Sequence, residues 1–227
     1  MSKVFSVAID GPVGAGKSCV AKKVAERLNA AYLDTGAMYR AVGLYMLENG
    51  VSLEDGAAIA ENAGKARVDV RYEGREQRTY LNGRDVTGEL RRPEVSLASS
   101  AVAKVHAVRE ALVNRQRELA RGISLVMDGR DIGTCVLTNA TLKIFLTATP
   151  EERARRRFRQ MNGRGGQSFE DVLNDLIRRD RNDMSRAESP LRCAEDAVEL
   201  DSTSLTEDEV VERIVSLLME RTGGERA

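Results

Sequence analysis

The stretch AIDGPVGAGKS, residues 8–18, is an apolar run that breaks into glycines and ends on a lysine and a serine. The spacing from Gly11 to Ser18 is that of a phosphate-binding loop, G-x-x-x-x-G-K-[ST], lying between a predicted strand and a predicted helix. Glycines let backbone N–H groups turn inward around phosphate oxygens, and the helix that follows directs its positive dipole end at the anion. Lys17 is expected to reach the β- and γ-phosphates, and the Ser18 hydroxyl to ligate Mg²⁺. The stretch therefore predicts a nucleoside triphosphate site.

A second stretch contains the carboxylate that would complete a magnesium site. Residues 123–131, ISLVMDGRD, form an apolar run that ends at Asp128, in the manner of a Walker B strand. Ligands collect at the carboxyl ends of the strands in a parallel sheet, so Asp128 is expected beside the phosphate loop, holding Mg²⁺ directly or through water. The alternative is that Asp128 only stabilises the turn at the end of the strand.

Composition limits the classes of protein that fit. With 227 residues, the chain predicts one compact domain, or one domain with insertions. Its 35 basic and 35 acidic residues balance, so no overall field favours nucleic acid or an anionic membrane as a partner. Of the basic residues, 28 are Arg. Genomic base composition would explain this excess, and so would bidentate phosphate recognition; composition alone leaves both open.

Cysteine and histidine usage points to a cytoplasmic protein without histidine-dependent chemistry. Cys19, Cys135 and Cys193 are odd in number and scattered, which predicts free thiols in a reducing compartment. The start of the chain lacks a signal-peptide pattern, and no apolar run approaches the roughly 18 residues of a membrane span. His106 is the only histidine and has no neighbouring nucleophile, which argues against hydrolysis by a histidine–nucleophile pair.

Short β-rich runs alternate with longer helical patterns, which is typical of a mostly parallel sheet covered by helices. Strands are predicted at 4–10, 31–34, 123–128, 142–147 and 197–201. Predicted helices begin at Lys17, Gly36, Leu53, Glu94, Ala107, Pro150, Ser168 and Thr206. The segment 66–88 instead alternates apolar and polar residues at period two, which predicts a small antiparallel meander inserted in the main fold. The arginine- and glycine-rich segment 157–168 predicts a mobile flap, with a solvated turn between helices as the alternative.

A further set of motifs favours a kinase with a second nucleotide site. No N-K-x-D guanine motif is present, which argues against a GTPase, and no glycine signature of an ABC-type ATPase precedes residue 123. The motifs that remain are LDTGAMYR (33–40), ASSAVA (98–103), VREAL (108–112), DGRDIGT (128–134) and RRDRNDMSRAESPL (178–191). At these positions the chain resembles the bacterial cytidylate kinases of the nucleoside monophosphate kinase family, from about residue 6 to 221. The meander at 66–88 is similar to the three-stranded insertion that sets this family apart from adenylate kinases.

The resemblance implies an α/β P-loop kinase with a five-stranded parallel core, a monophosphate-binding lobe and a short lid. The corresponding ranges are about 1–34, 101–152 and 187–227 for the core, 35–100 for the lobe and 153–168 for the lid. The implied reaction is phosphoryl transfer from ATP to CMP or dCMP with Mg²⁺, giving ADP and CDP or dCDP. Nothing in the sequence suggests an obligate interface, so a monomer is expected.

The resemblance also implies roles for individual residues. ATP would be held by the loop residues Gly11, Pro12, Val13, Gly14, Ala15, Gly16, Lys17, Ser18 and Cys19 and by the lid arginines Arg153, Arg156 and Arg157. Mg²⁺ would be held by Ser18 and Asp128. The acceptor's α-phosphate would be held by Thr35, Arg40, Arg130 and Arg186, its ribose by Arg179 and Asp183, and its base by Ser100, Arg109 and Asp131, with Tyr39 also lining the acceptor site. Catalysis would rest on Lys17, Arg130, Arg157 and Arg186.

The chemistry of phosphoryl transfer between two nucleotides is compatible with these roles. The attacking phosphate oxygen is already ionised at neutral pH, so the reaction needs charge neutralisation and in-line placement rather than a general base. Cytosine presents an amine donor and ring acceptors, which suit the Asp131 carboxylate and the Arg109 guanidinium, whereas uracil reverses this polarity. Asp131 could instead be a structural partner of Arg130. Two other functions remain open: a small P-loop kinase for a different acceptor such as shikimate, and a nucleotide-dependent switch without transfer activity.

Overall fold

The computed structural model describes residues 4–74, 76–161 and 168–223. Its strands are β1 (Ser6–Asp10), β2 (Ala31–Asp34), β3 (Val68–Glu73), β4 (Glu76–Leu81), β5 (Arg84–Asp85), β6 (Leu125–Asp128), β7 (Leu142–Thr147) and β8 (Val198–Asp201). Its α-helices are α1 (Lys17–Arg27), α2 (Thr35–Glu48), α3 (Gly56–Ala63), α4 (Pro93–Val102), α5 (His106–Leu119), α6 (Pro150–Met161), α7 (Phe169–Met184) and α8 (Glu207–Thr222). A π-helical turn covers Ile132–Val136.

The main sheet has five strands in the order β2-β6-β1-β7-β8. Strand β1 lies between β6 and β7 and pairs with both in parallel, with Ile9 opposite Asp128 on one side and Ile144 on the other. The central strands are nearly continuous apolar runs because helices cover both faces of a parallel sheet. Val7, Ala8 and Ile9 are fully buried. The predicted α/β class with a five-stranded core is confirmed.

The segment predicted to be a meander forms a separate sheet of three strands in the order β3-β4-β5. Strands β3 and β4 are antiparallel, with Val68 opposite Leu81. Asn82 and Gly83 form the next turn with φ values of 50° and 85°, the backbone that an Asn-Gly pair favours in a two-residue hairpin. The period-two pattern and the turn residues therefore predicted this sheet correctly.

Helix starts agree with the prediction to within a residue, except at α3. The prediction placed this start at Leu53, which is wrong, because Asp55 caps the helix by accepting hydrogen bonds from the N–H groups of Ala57 and Ala58, each at 3.0 Å. The π-helical turn was not predicted. Of the predicted flap, residues 162–167 lie outside the described residues, so its mobility stays a prediction.

The chain divides into two compact units, residues 1–31 with 122–227 (unit 1) and residues 32–121 (unit 2). Unit 1 contains β1, β6, β7 and β8 with α1, α6, α7 and α8. Unit 2 contains α2 to α5 and the three-stranded sheet, and the boundary between the units falls within β2. The ranges expected for core, lobe and lid stay predictions. The helices of the described residues lack the length and hydrophobicity that a membrane span requires.

Candidate active site

The phosphate-binding loop of unit 1 runs from the end of β1 to the start of α1. Gly16 caps α1 with φ 90°, so the backbone enters the helix from the left-handed region. The Lys17 ammonium donates a hydrogen bond to the Pro12 carbonyl at 2.8 Å, across the loop, and only 5% of this residue is exposed. Lys17 is therefore a buried cation held inside the loop that the sequence motif predicted.

The surroundings of Lys17 destabilise its charged form. Burial, together with repulsion from Arg130, lowers the pKa of Lys17 to about 7, against the attraction of Asp128, Asp10 and Asp183. The ammonium is thus poorly compensated by the protein itself. A polyphosphate bound in the loop would supply the missing negative charge and stabilise the charged form.

Ser18 and Asp128 come together at the carboxyl ends of two neighbouring strands. The Ser18 hydroxyl donates to a carboxylate oxygen of Asp128 at 2.8 Å. The contact follows from the parallel pairing of β1 with β6, which sets Asp128 opposite Ile9, just before the loop. A hydroxyl and a carboxylate are hard oxygen ligands of the kind that Mg²⁺ accepts alongside water and phosphate oxygens. The donor set therefore fits a magnesium ion.

Arginines of the same unit gather around one carboxylate on α7. Asp183 accepts a hydrogen bond from Arg130 Nε at 2.9 Å and forms an ion pair with Arg186 at 3.1 Å. Burial and repulsion from Arg130 lower the pKa of Arg179, and Arg157 adds to that repulsion. Four arginines, from the loop after β6, from α6, from α7 and from the segment after α7, thus lie close enough around Asp183 to form one region of positive potential, which we call the arginine field.

The arginine field is only partly neutralised by Asp183. A guanidinium whose pKa is lowered by burial and like charge is stabilised when an anion arrives. Arginine also offers two parallel donors that match phosphate oxygens. The arrangement in unit 1 can therefore hold a phosphate group and offset the repulsion between two phosphates.

Arg153 is placed differently from the solvent-facing arginines on the same helix. Only 4% of it is exposed, and its guanidinium donates to the carbonyls of Ala148 and Val13 at 2.9 and 3.0 Å and to a carboxylate oxygen of Asp180 at 2.6 Å. Its donors thus tie the phosphate-binding loop, through Val13, to helix α7. This geometry makes Arg153 a residue that positions the loop.

Arg156 lies one turn further along α6 and is also held in place. It donates to the carbonyl and the hydroxyl of Ser202 at 2.6 and 3.0 Å and pairs with Glu152 at 3.1 Å. One of its nitrogens lies 3.5 Å from the carbonyl of Ala15 in the loop. The structure therefore places Arg156 next to the loop. Arg157 is exposed, and its charge contributes to the repulsion that lowers the pKa of Arg179.

Unit 2 holds a second pair of opposite charges at the start of α2. Asp34 caps the helix by accepting from the Ala37 N–H at 2.9 Å, and its other carboxylate oxygen accepts from Arg40 at 2.8 Å. Gln77 of β4 fixes Asp34 by accepting from its N–H at 2.7 Å. Arg40 Nε is buried and has no hydrogen-bond partner among the described residues. Arg40 thus retains a buried donor that a phosphate oxygen would satisfy.

The residues expected to read a base are brought together only in part. The Arg109 guanidinium lies over the ring of Tyr39, 5.7 Å from its centroid, and Arg109 is buried. The Ser100 hydroxyl lies 3.5 Å from the Ser96 carbonyl of its own helix. Helix α4 approaches α2 closely at Gly43, where an added Cβ would lie 2.9 Å from the backbone nitrogen of Ser99. The packing of α2 with α4 and α5 in unit 2 therefore orients these side chains.

The remaining predicted residues lie as follows. Thr35 is the buried first residue of α2, and Asp131 is buried immediately before the π-helical turn. Cys19 is exposed, and partial burial of its thiol raises its pKa, which favours the protonated form. Cys19, Cys135 and Cys193 form no disulfide bond in the part of the chain that the structure describes, in agreement with the prediction.

Sequence reasoning missed the residues that hold the site residues in place. Asp34 stands in the motif LDTGAMYR, so its position was visible but its role as the partner of Arg40 was not. Gln77 lies in the meander, with no local signal for its hydrogen bonds to Asp34. Asp10, in AIDGP, accepts hydrogen bonds from residues more than a hundred positions away, which no local pattern reveals.

Comparison with known proteins identifies the family. The cytidylate kinase family model matches residues 7–220. A cytidylate kinase from Desulforamulus reducens is 52% identical over 217 residues, covering 95% of this chain and 97% of that protein. One from Geobacillus kaustophilus is 50% identical over 224 residues, covering 98% and 100%. Among solved structures, an uncharacterized protein from Eubacterium ventriosum is similar in fold, with a TM-score of 0.52 at 16% identity, covering 96% of this chain and 99% of that one.

The family model covers nearly the whole chain, and the relatives align over nearly their whole lengths. The loop with Lys17, the arginine field around Asp183 and the Asp34–Arg40 pair belong to this matched region. The chain therefore belongs to the cytidylate kinase family and is a phosphotransferase that acts as a nucleoside monophosphate kinase.

Proposed function

We propose that the chain transfers the γ-phosphoryl group of ATP to CMP and dCMP, giving CDP and dCDP. The observation that carries this proposal is the charge arrangement of unit 1. A buried lysine inside a phosphate-binding loop shares its electrostatic environment with Arg130, which shares Asp183 with Arg186. Two polyanionic substrates repel each other, and fixed cations that offset this repulsion lower the barrier to transfer.

The donor is ATP, held by the loop through its backbone N–H groups and Lys17. Lys17 contacts the β- and γ-phosphates and stabilises the charge that develops between them. Arg156 and Arg157 add positive charge from α6. Ser18 and Asp128 would hold Mg²⁺, which supplies further neutralisation of the phosphate oxygens when bound.

The acceptor's α-phosphate is bound by Arg40, Arg130 and Arg186 in this proposal. The Thr35 hydroxyl is a further donor. The buried, unsatisfied Nε of Arg40 supports this role for the residue. No side chain needs to remove a proton, because the attacking oxygen is ionised at neutral pH. Arg179 and Asp183 address the ribose.

Cytosine is selected by polarity. Asp131 and Ser100 accept from the exocyclic amine of the base, and Arg109 donates to its ring acceptors. Uracil would place a carbonyl against Asp131 and an N–H against Arg109. Buried polar groups mispaired in this way can reject an analogue by roughly 10⁴-fold. CMP and dCMP are therefore preferred over UMP.

The decisive experiment is an acceptor panel. The protein is incubated with Mg·ATP and, separately, CMP, dCMP, UMP, AMP and shikimate, and ADP release is followed together with the phosphorylated product. We expect rapid ADP release with CMP and dCMP only. Preference for shikimate or AMP would support the alternative that the chain is a P-loop kinase for a different acceptor. ADP release independent of any acceptor would support a nucleotide-dependent switch. Comparable kcat/KM for UMP and CMP would refute the base-reading roles.

Single substitutions test the roles of individual residues. Lys17→Ala is expected to lower kcat far more than it weakens CMP binding, whereas Arg186→Ala should damage both. Arg179→Ala should raise the KM for CMP. Its matched control is Arg178→Ala on the same helix, because Arg178 is exposed and pairs only with Asp175 among the described residues. Equal effects of the last two substitutions would remove Arg179 from the acceptor site.

Base reading is tested separately at Asp131. Asp131→Asn exchanges one carboxylate acceptor for an amide donor, which can face the C4 carbonyl of uracil. The ratio of kcat/KM for CMP to that for UMP should therefore fall. If both values fall by the same factor, Asp131 is a structural partner of Arg130 and not a reader of the base.

A further inference from the structure

A buried carboxylate at the end of β1 has no part in the chemistry proposed above. Asp10 precedes the phosphate-binding loop, and only 5% of it is exposed. One of its oxygens accepts from the N–H of Ile132 at 2.8 Å, and the other accepts from the N–H of Gly133 at 2.7 Å. Both bonds are short and buried. Asp10 thus binds a segment that is remote from it in the sequence.

The two N–H groups that donate hydrogen bonds to Asp10 belong to the first residues of the π-helical turn. The first N–H groups of a helical segment have no partner inside the segment and need an external acceptor. At the same turn, the Asp131 carbonyl accepts from Cys135 at 2.8 Å and from Val136 at 3.3 Å. Asp10 therefore acts as a long-range cap, and the residue that it places at the mouth of the turn is Asp131.

We propose that Asp10 is a positioning residue for base selection: by capping the π-helical turn it fixes the direction of Asp131 and, next to it, Arg130. This inference rests on the proposed function. Asp10 has none of the substrate-binding roles proposed above. It acts through the backbone of Ile132 and Gly133, and short π-helical segments of this kind occur frequently at functional sites.

The chemistry of the carboxylate explains why this residue type suits the task. Two equivalent oxygens can accept from two adjacent N–H groups at once, whereas an amide offers one oxygen and one NH₂ group. Burial raises the pKa of Asp10 to about 6, against the backbone hydrogen bonds and the nearby charge of Lys17. At pH 8 the carboxylate is ionised and accepts both bonds. Space is also limited, because a Cβ on Gly133 would lie 3.1 Å from Lys143 and 3.4 Å from Asp10.

The test compares Asp10→Asn with Asp55→Ala at pH 8. Asp55 is the control for weakened capping, because its Oδ1 accepts from two adjacent N–H groups at the start of α3, which carries none of the proposed site residues, and alanine removes that acceptor. In Asp10→Asn the amide group faces one buried N–H and releases the turn. We expect the ratio of kcat/KM for CMP to that for UMP to fall about tenfold or more, since selectivity of this kind depends on precisely placed polar partners. The KM for CMP should rise while the KM for ATP stays the same.

Each other outcome decides against the proposal. An unchanged CMP-to-UMP ratio, with or without a loss of thermal stability, would make Asp10 a structural residue only. An equal loss of this ratio in Asp55→Ala would make the effect a general one of weakened capping. The wild-type protein is assayed with CMP first, so that absence of CMP phosphorylation counts against the proposed function and not against Asp10.

A second measurement does not depend on the variant folding or on any substrate. Amide hydrogen exchange of the wild-type protein reports directly on the N–H groups of Ile132 and Gly133. If Asp10 caps the turn, both exchange slowly, as buried hydrogen-bonded amides do. Exchange at the rate of exposed loop amides would overturn the proposal whatever the kinetic assays give.

Discussion

Replacing Gly11 with alanine tests the geometry on which the phosphate-binding loop depends. Gly11 joins β1 to the loop with φ +148°, a backbone conformation that side chains with a Cβ rarely adopt. A Cβ added to it would lie 2.0 Å from the carbonyl oxygen of Leu146 and 3.0 Å from its carbonyl carbon. The first contact is about 1 Å shorter than a Cβ tolerates, so one of the two backbones must move.

The magnitude follows from which backbone can move. Leu146 belongs to β7, which pairs with β1 on one side and β8 on the other, with Leu146 opposite Leu200. Its carbonyl is therefore fixed by the sheet, and the shift falls on the loop. Overpacking of a well-packed site costs about 1–3 kcal/mol, and backbone strain at an unfavourable φ costs about 1–3 kcal/mol more. A loop displaced by about 1 Å would lose roughly 10²-fold in kcat/KM.

The assay measures both consequences on the same samples. Urea denaturation gives the free energy of unfolding, and steady-state kinetics with CMP and ATP gives kcat/KM. The matched control is Gly64→Ala, because Gly64 has an ordinary right-handed backbone and no atom within 4 Å of an added Cβ. This control should be stabilised by up to about 1 kcal/mol, through the lower entropy of its unfolded chain.

We expect Gly11→Ala to lose stability, activity or both, according to how far the loop relaxes. If the loop moves far enough to relieve the strain, kcat/KM should fall while the free energy of unfolding changes little. If the loop keeps its position, the free energy of unfolding should fall while kcat/KM changes little. If Gly11→Ala matched Gly64→Ala in both measurements, the close approach of the loop to β7 would be wrong, and so would the reasoning from it.

Three further predictions concern stability. The pKa of Asp10 is raised in the folded state from 3.8 to about 6, so protonation of Asp10 favours folding. As pH falls from 8 to 4, the free energy of unfolding of the wild type, relative to that of Asp10→Asn, should therefore rise by up to about 3 kcal/mol. A difference between the two proteins that does not change with pH in urea denaturation would contradict this prediction. Arg153→Ala leaves the largely buried Asp180 carboxylate without this partner and should cost about 3–5 kcal/mol by the same method. Arg155→Ala, on the exposed face of α6, should cost less than about 1 kcal/mol. Gly43→Ala should lower the melting temperature, because its Cβ would force α2 away from α4 at a cost of about 1–3 kcal/mol; an unchanged value would mean that the contact yields freely.

The sequence alone was sufficient for features that depend on local spacing. The phosphate-binding loop needs glycines and a lysine at set intervals between a strand and a helix, so Gly11 to Ser18 could be predicted without a fold. The three-stranded sheet followed from period-two alternation and the Asn82-Gly83 turn, because hairpins are set by neighbouring residues. The wrong start of α3 at Leu53 shows the limit, since the cap at Asp55 competes with other polar residues of similar propensity.

Contacts between residues far apart in the chain decided which side chains of a helix are buried. Arg153 and Arg155 are the same residue type two positions apart, and no local pattern predicts that Arg153 is buried against Asp180 and the loop while Arg155 faces solvent. Only packing decides which side of α6 is covered.

The sequence by itself predicted a nucleoside triphosphate site and the family that the chain resembles, since both depend on short, contiguous motifs. Only the tertiary structure decided that Asp10 caps the turn that follows Asp131, and that Arg130 and Arg186 share Asp183. The physical reason is that hydrogen bonds and ion pairs act over a few ångströms in space, and parallel strands bring together residues that are far apart in the chain.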